Sequence, residues 1–124
     1  MEVVRVVEDL LVFRRGYEMS LLVHKASLGF PGIEQRALAD QLRRSSKSIC
    51  ANLAEGFAKQ RQSKAEFRRY LIMAMGSSDE TRLWLRYAID LGYVDAIEGE
   101  AWRTSYQEIS KMLQGLLNSH HTDY

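Results

Sequence analysis

The stretch KAEFRRYLIMAMGSSDETRLWLRYAIDL, Lys64 to Leu91, decides the fold. Within it Phe67, Leu71, Ala74, Ser78, Thr81, Leu85 and Ala88 recur at alternating four- and three-residue steps. That spacing is a heptad repeat, the mark of a long helix packed along one face. Ser63 stands just before it, with Glu66 three residues later, a capping-box pattern. Gly92 follows it, as a C′ residue that ends a helix.

Working outward, three more segments share the helical period. One spans about 33–59, with an inward stripe of Leu38, Leu42, Ser45, Ile49, Asn52/Leu53 and Gly56. Another spans about 9–28, where Leu10, Phe13, Tyr17, Leu21, His24 and Leu28 fall on one face, expected to be the core face. Gly29, Pro31 and Gly32 break it. The last spans about 95–117, capped by Asp95, with a stripe of Trp102, Tyr106, Ile109, Leu113 and Leu116. The tail from Asn118 to Tyr124 reads as a frayed end. Four helices with short connections predict one all-α domain over residues 1–124, an antiparallel up-down-up-down four-helix bundle.

Composition agrees. The 124 residues are 46% hydrophobic and 27% charged, suited to one soluble core. One proline and eight glycines supply too little turn material for an all-β domain. Cys50 is the single cysteine, so no internal disulfide forms. No apolar run approaches the roughly 18–20 residues of a membrane span. The N-terminus lacks the charge order of a signal peptide, and a cytoplasmic location is expected.

Catalytic signatures are missing. A di-iron bundle needs Glu-x-x-His twice, but Leu21, Leu117 and Asn118 stand three residues before His24, His120 and His121. His24 reads as a hydrogen-bonded core or interface residue. His120 and His121 with Asp123 make a weak metal set without fixed geometry. There is no phosphate-binding glycine loop. Cys50 lies in mid-helix with no neighbouring histidine, as a small packing residue would. The reading is a non-enzyme with no cofactor.

The net charge of +1 conceals segregation. Residues 1–40 carry −1, residues 41–69 carry +6 and residues 70–124 carry −4. The basic segment holds Arg43, Arg44, Lys47, Lys59, Arg61, Lys64, Arg68 and Arg69. In an antiparallel bundle the last five gather at one end. Such a surface suits a nucleic-acid backbone, RNA or DNA, without base specificity. The bland alternative is a solvated helix end favoured by the helix dipole.

The Lys64–Leu91 helix is also apolar away from its core stripe. Ile72, Met73, Gly76, Leu83, Trp84 and Tyr87 form a second face, which predicts a subunit interface in a homo-oligomer.

Gln41 to Gly56, QLRRSSKSICANLAEG, resembles the central motif of the bacterial 23S rRNA intervening-sequence proteins, also called the four-helix-bundle protein family. Asp9-Leu10-x-Val12-Phe13, Phe30-Pro31, Phe67 with Leu71, Gly76-Ser77 with Glu80, and Leu91-Gly92-Tyr93 are similar to further family motifs. The resemblance covers roughly Asp9 to Val94. It implies a ring-shaped homopentamer of antiparallel bundles with no established enzymatic activity. The related accessory variability determinant of diversity-generating retroelements implies two kinds of partner, nucleic acid and a reverse transcriptase. Departures are His24, where an aromatic is common, Ser46, where alanine is usual, and a fourth helix without a matching motif. The alternative is a protein-interaction scaffold whose charge serves solubility alone. Within the motif, Ser48, Asn52, Glu55 and Gly56 are expected to be structural. Asn52 and Glu55 should hydrogen-bond to Arg44, Ser48 or a neighbouring helix and fix register, and Gly56 should allow close backbone approach.

Overall fold

The computed structural model describes residues 3–120. A 3-10 turn at Val7–Asp9 leads into α1 (Leu11–Ser27), followed by α2 (Leu38–Lys59), α3 (Lys64–Asp90) and α4 (Ala96–Ser119). Among the described residues there are helices and no strands.

Cross-helix pairs give the direction of each helix. Ser27 meets Arg43 while Phe13 meets Cys50. Ser45 meets Thr81 while Ser48 meets Ser77. Arg68 meets Leu117 while Arg82 meets Arg103. In each case the number rises on one helix as it falls on the next, so consecutive helices are antiparallel. Arg15 against Glu108 brings α4 back beside α1. The topology is therefore up-down-up-down.

All seven residues of the α3 heptad stripe are buried. Its N-terminus is held by the Ser63 hydroxyl, which accepts the Glu66 N–H. Gly92 follows its last turn at φ +80°, the left-handed conformation that favours glycine. The Asp95 carboxylate caps α4 by accepting the N–H groups of Ile97 and Glu98.

Helix α1 departs from the sequence reading. Its buried residues are Val12, Gly16, Ser20, Val23 and Ser27. The expected core stripe is turned aside, leaving Tyr17 51%, Leu21 43% and Leu28 61% exposed. The small residues win because α1 packs close to α2. A Cβ on Gly16 would already stand 3.4 Å from Cys50 Sγ and Ile49 Cγ2. The inward hydroxyls are satisfied within the helix: Ser20 donates to the Tyr17 carbonyl at 2.7 Å and Ser27 to that of His24 at 2.6 Å.

Helix α2 begins at Leu38, later than expected, because Ala37 has a non-helical backbone (φ −126°, ψ −105°). The preceding loop is pinned by Gln35, whose amide donates to the carbonyls of Ser27 and Phe30.

Between α2 and α3 the core contains hydroxyl pairs. Thr81 donates to Ser45 and Ser77 donates to Ser48, each at 2.9 Å. Asn52 donates to the Ser48 carbonyl at 2.9 Å and lies 3.0 Å from its hydroxyl. Asn52 thus makes its bonds one turn back along α2, at the Ser48 that also meets α3. Glu55 does not act as expected: its carboxylate is exposed, 4.0 Å from Lys59 one turn on, and bonds to no other helix. It lies too far round α2 from the core to reach one.

Candidate nucleic-acid interface

The sequence-predicted cations divide into two groups. Lys59, Arg61, Lys64, Arg68 and Arg69 lie at the α2–α3 turn. Arg43, Arg44 and Lys47 lie further up α2; from Lys47 to Lys59 is about 18 Å along the helix.

Several cations have structural tasks. Arg43 donates to the Ser27 hydroxyl (2.9 Å), the Gln35 side-chain oxygen (3.2 Å) and the Gln35 carbonyl (2.8 Å). It fastens α2 to the loop that precedes it, so the sequence reading of Arg43 as a free phosphate contact is corrected. Arg68 is corrected likewise: it donates to the carbonyls of Leu117 and His120 and satisfies the C-terminus of α4. Arg44 stands 3.6 Å from Asp40. The Lys47 ammonium donates to His24 Nδ1 at 2.8 Å, which fixes the neutral ring with its proton on Nε2.

The α2–α3 turn offers more. Lys59 sits 5.3 Å and Arg69 4.8 Å from the centre of the Tyr70 ring. Arg69 also grips Glu66 through two bonds and so holds that carboxyl below its usual range. Arg61 and Lys64 make no hydrogen bond or ion pair within the described chain. Arg61 and Arg5 line a polar recess of about 660 Å³ with Gln60 and Gln62. The sequence reading missed Tyr70 and Arg5; the signal for Tyr70 was an aromatic residue directly after Arg68 and Arg69.

Gly56 positions this aromatic. A Cβ there would come 2.7 Å from Tyr70 Cβ and 3.0 Å from Phe67 Cδ1. The missing side chain lets the start of α3 lie directly on the end of α2.

Ile72, Met73, Leu83 and Tyr87 are exposed on the outer face of α3. Gly76 is exposed too, with open space around it. Trp84 differs: half-buried against the core, it donates through Nε1 to Glu80 at 3.2 Å. Beside this face a polar trench is lined by Gln41, Arg44, Ser45, Ser48, Ser77 and Glu80.

No group of His, Cys, Asp and Glu among the described residues could hold a metal ion. His120 packs its ring edge-on against Phe67, and His121 and Asp123 lie outside the described residues. Burial pushes the Cys50 thiol up to about 11. No helix of the described residues is long and apolar enough to cross a membrane.

These features define an all-α bundle with a basic turn at one end and an apolar outer face on its third helix. The family model of the 23S rRNA-intervening sequence protein matches residues 8–115, and the chain belongs to that family. A crystal structure of a protein of unknown function from the S23 ribosomal protein family of Bacteroides thetaiotaomicron is similar, with TM-score 0.76 and 27% identity. That match covers 87% of this chain and 96% of the other. No curated protein matches.

Proposed function

We propose that this chain is a non-enzymatic, homopentameric, cytoplasmic accessory protein that binds RNA or DNA through the α2–α3 turn, without a cofactor. The observation that carries the nucleic-acid reading is the Tyr70 ring bracketed by Lys59 and Arg69, beside the partnerless Arg61 and Lys64. Cations hold a phosphate backbone, and an exposed aromatic edge among them gives unpaired bases a surface to stack on. The assembly reading is supported by the exposed apolar face of α3, which a monomer has nothing to bury against. A reverse transcriptase remains a candidate protein partner through the family resemblance.

The test is an electrophoretic mobility shift with an rRNA fragment and with single-stranded DNA, in salt between about 50 and 200 mM. Binding should weaken steeply with salt. Arg61→Ala with Lys64→Ala should lower the log–log slope by about one for each cation removed, and Tyr70→Ala should weaken binding to unpaired strands. No binding at low salt, or a flat salt profile, overturns the nucleic-acid reading and favours a protein-interaction scaffold.

A further inference from the structure

The stripe that α1 turns away from the core has no partner within the chain. Tyr17, Leu21 and Leu28 are exposed on it, and Phe13 is half-buried beside Tyr17. Phe13, Tyr17 and Leu21 line an apolar trough of about 530 Å³. The outer face of α3 is likewise without a partner. The two faces lie on different helices and differ in shape. One is a trough floored by aromatic and leucine side chains; the other is a ridge of Ile72, Met73, Leu83 and Tyr87. Their lengths match. Phe13 to Leu28 and Ile72 to Tyr87 each span fifteen residues, about 23 Å of helix.

We infer that the α1 stripe of one copy packs on the α3 face of the next, in a heterologous contact that repeats around the assembly. This rests on the assembly part of the function proposed above and names its two surfaces. A second copy is the occupant because one chain carries both halves. Their margins are of opposite sign. Glu8 and Glu18 rim the α1 trough, and Glu18 has no partner within the described chain. Arg14, also on that rim, is already bonded to the carbonyls of Glu8 and Asp9. Arg44 and Arg69 flank the α3 face; although they pair with Asp40 and Glu66, their side chains remain 76% and 55% exposed. Unlike faces of this kind join head to tail and close into a ring if the rotation allows. A symmetric dimer would instead set each face against itself and leave the other bare.

Complementation tests the pairing. One variant carries Tyr17→Glu and Leu21→Glu; the other carries Leu83→Glu and Tyr87→Glu. Circular dichroism checks folding and light scattering reads mass. Each variant alone should be a monomer. Mixed one to one, they should form a heterodimer of twice the monomer mass, since one intact α1 stripe meets one intact α3 face. Two folded variants that stay monomeric when mixed overturn the pairing, as does either variant assembling like the parent. A monomeric parent chain overturns the assembly reading itself, a separate outcome.

Cross-linking gives an answer that tolerates imperfect folding of the glutamate variants. In a Cys50→Ser background, chains with Tyr17→Cys and chains with Tyr87→Cys are mixed and treated with a bifunctional maleimide. Linked dimers should appear in the mixture and not in either chain alone. Dimers from one chain alone overturn the head-to-tail contact.

Discussion

Gly56 lies directly against Tyr70: a single methyl group on residue 56 would come 2.7 Å from the Tyr70 Cβ. A Cβ sits on the backbone and cannot swing aside as the end of a flexible side chain can. Replacing glycine by alanine within a helix ordinarily gains about 1 kcal/mol. Overpacking a closed contact costs typically about 1–3 kcal/mol. The contact wins here, so Gly56→Ala should destabilise the fold by about 1 kcal/mol net and weaken nucleic-acid binding by displacing Tyr70. Urea denaturation and the mobility shift check the two halves.

Arg43 and Arg61 should separate stability from binding. Arg43→Met removes three charge-assisted bonds at the start of α2, and bonds to a charged group contribute about 1.5–3 kcal/mol each. Water replaces part of that, so a net loss of about 2 kcal/mol is expected, with binding of the folded fraction retained. Arg61→Ala should do the reverse. Thermal melts and mobility shifts on both variants make the comparison.

His24 should titrate below the 6.5 of a free imidazole, first through desolvation and then through the charges of Lys47 and Arg43. A histidine whose folded pKa is depressed contributes stability that is fully present above the unfolded value. That contribution is lost as pH falls from about 6.5 through the folded pKa. Lys47→Gln removes a positive neighbour and should raise the His24 pKa. Imidazole proton NMR measures it, with His24→Gln assigning the signal.

Tyr106 is fully buried, and its hydroxyl has no hydrogen-bond partner among the described residues. Burial raises its pKa, so the phenol stays protonated. An unpaired buried hydroxyl costs about 1–3 kcal/mol. Tyr106→Phe keeps the ring and should therefore leave stability unchanged or raise it by about 1 kcal/mol in urea denaturation.

The α3 stripe was legible in full because its heptad positions hold large apolar residues broken only by small ones. On α1 the same procedure chose the wrong face. It ranked Phe13, Tyr17 and Leu21 above Gly16, Ser20 and Ser27, whereas close packing on α2 required the small residues. Serines that bond back to their own helix bury without leaving a polar group exposed, and a hydropathy pattern does not register this. At the basic turn, the sequence located the cations but not their engagements. Arg43 and Arg68 differ from Arg61 in the carbonyls and hydroxyls they reach, and those come from residues 8 to 52 positions distant. Glu55 looked structural from its place in the motif, yet its position around α2 faces solvent.

The hydroxyl pairs between α2 and α3 act as a detent against sliding. Moved one turn in one direction, Ser45 would face Leu85; moved in the other, Ser48 would face Met73. Either slip strands a hydroxyl against hydrocarbon, at about 1–3 kcal/mol. An all-leucine seam would tolerate the same slip with little change in burial. Serine and threonine thus notch the two rods at a single setting, and that setting holds Tyr70 level with Lys59.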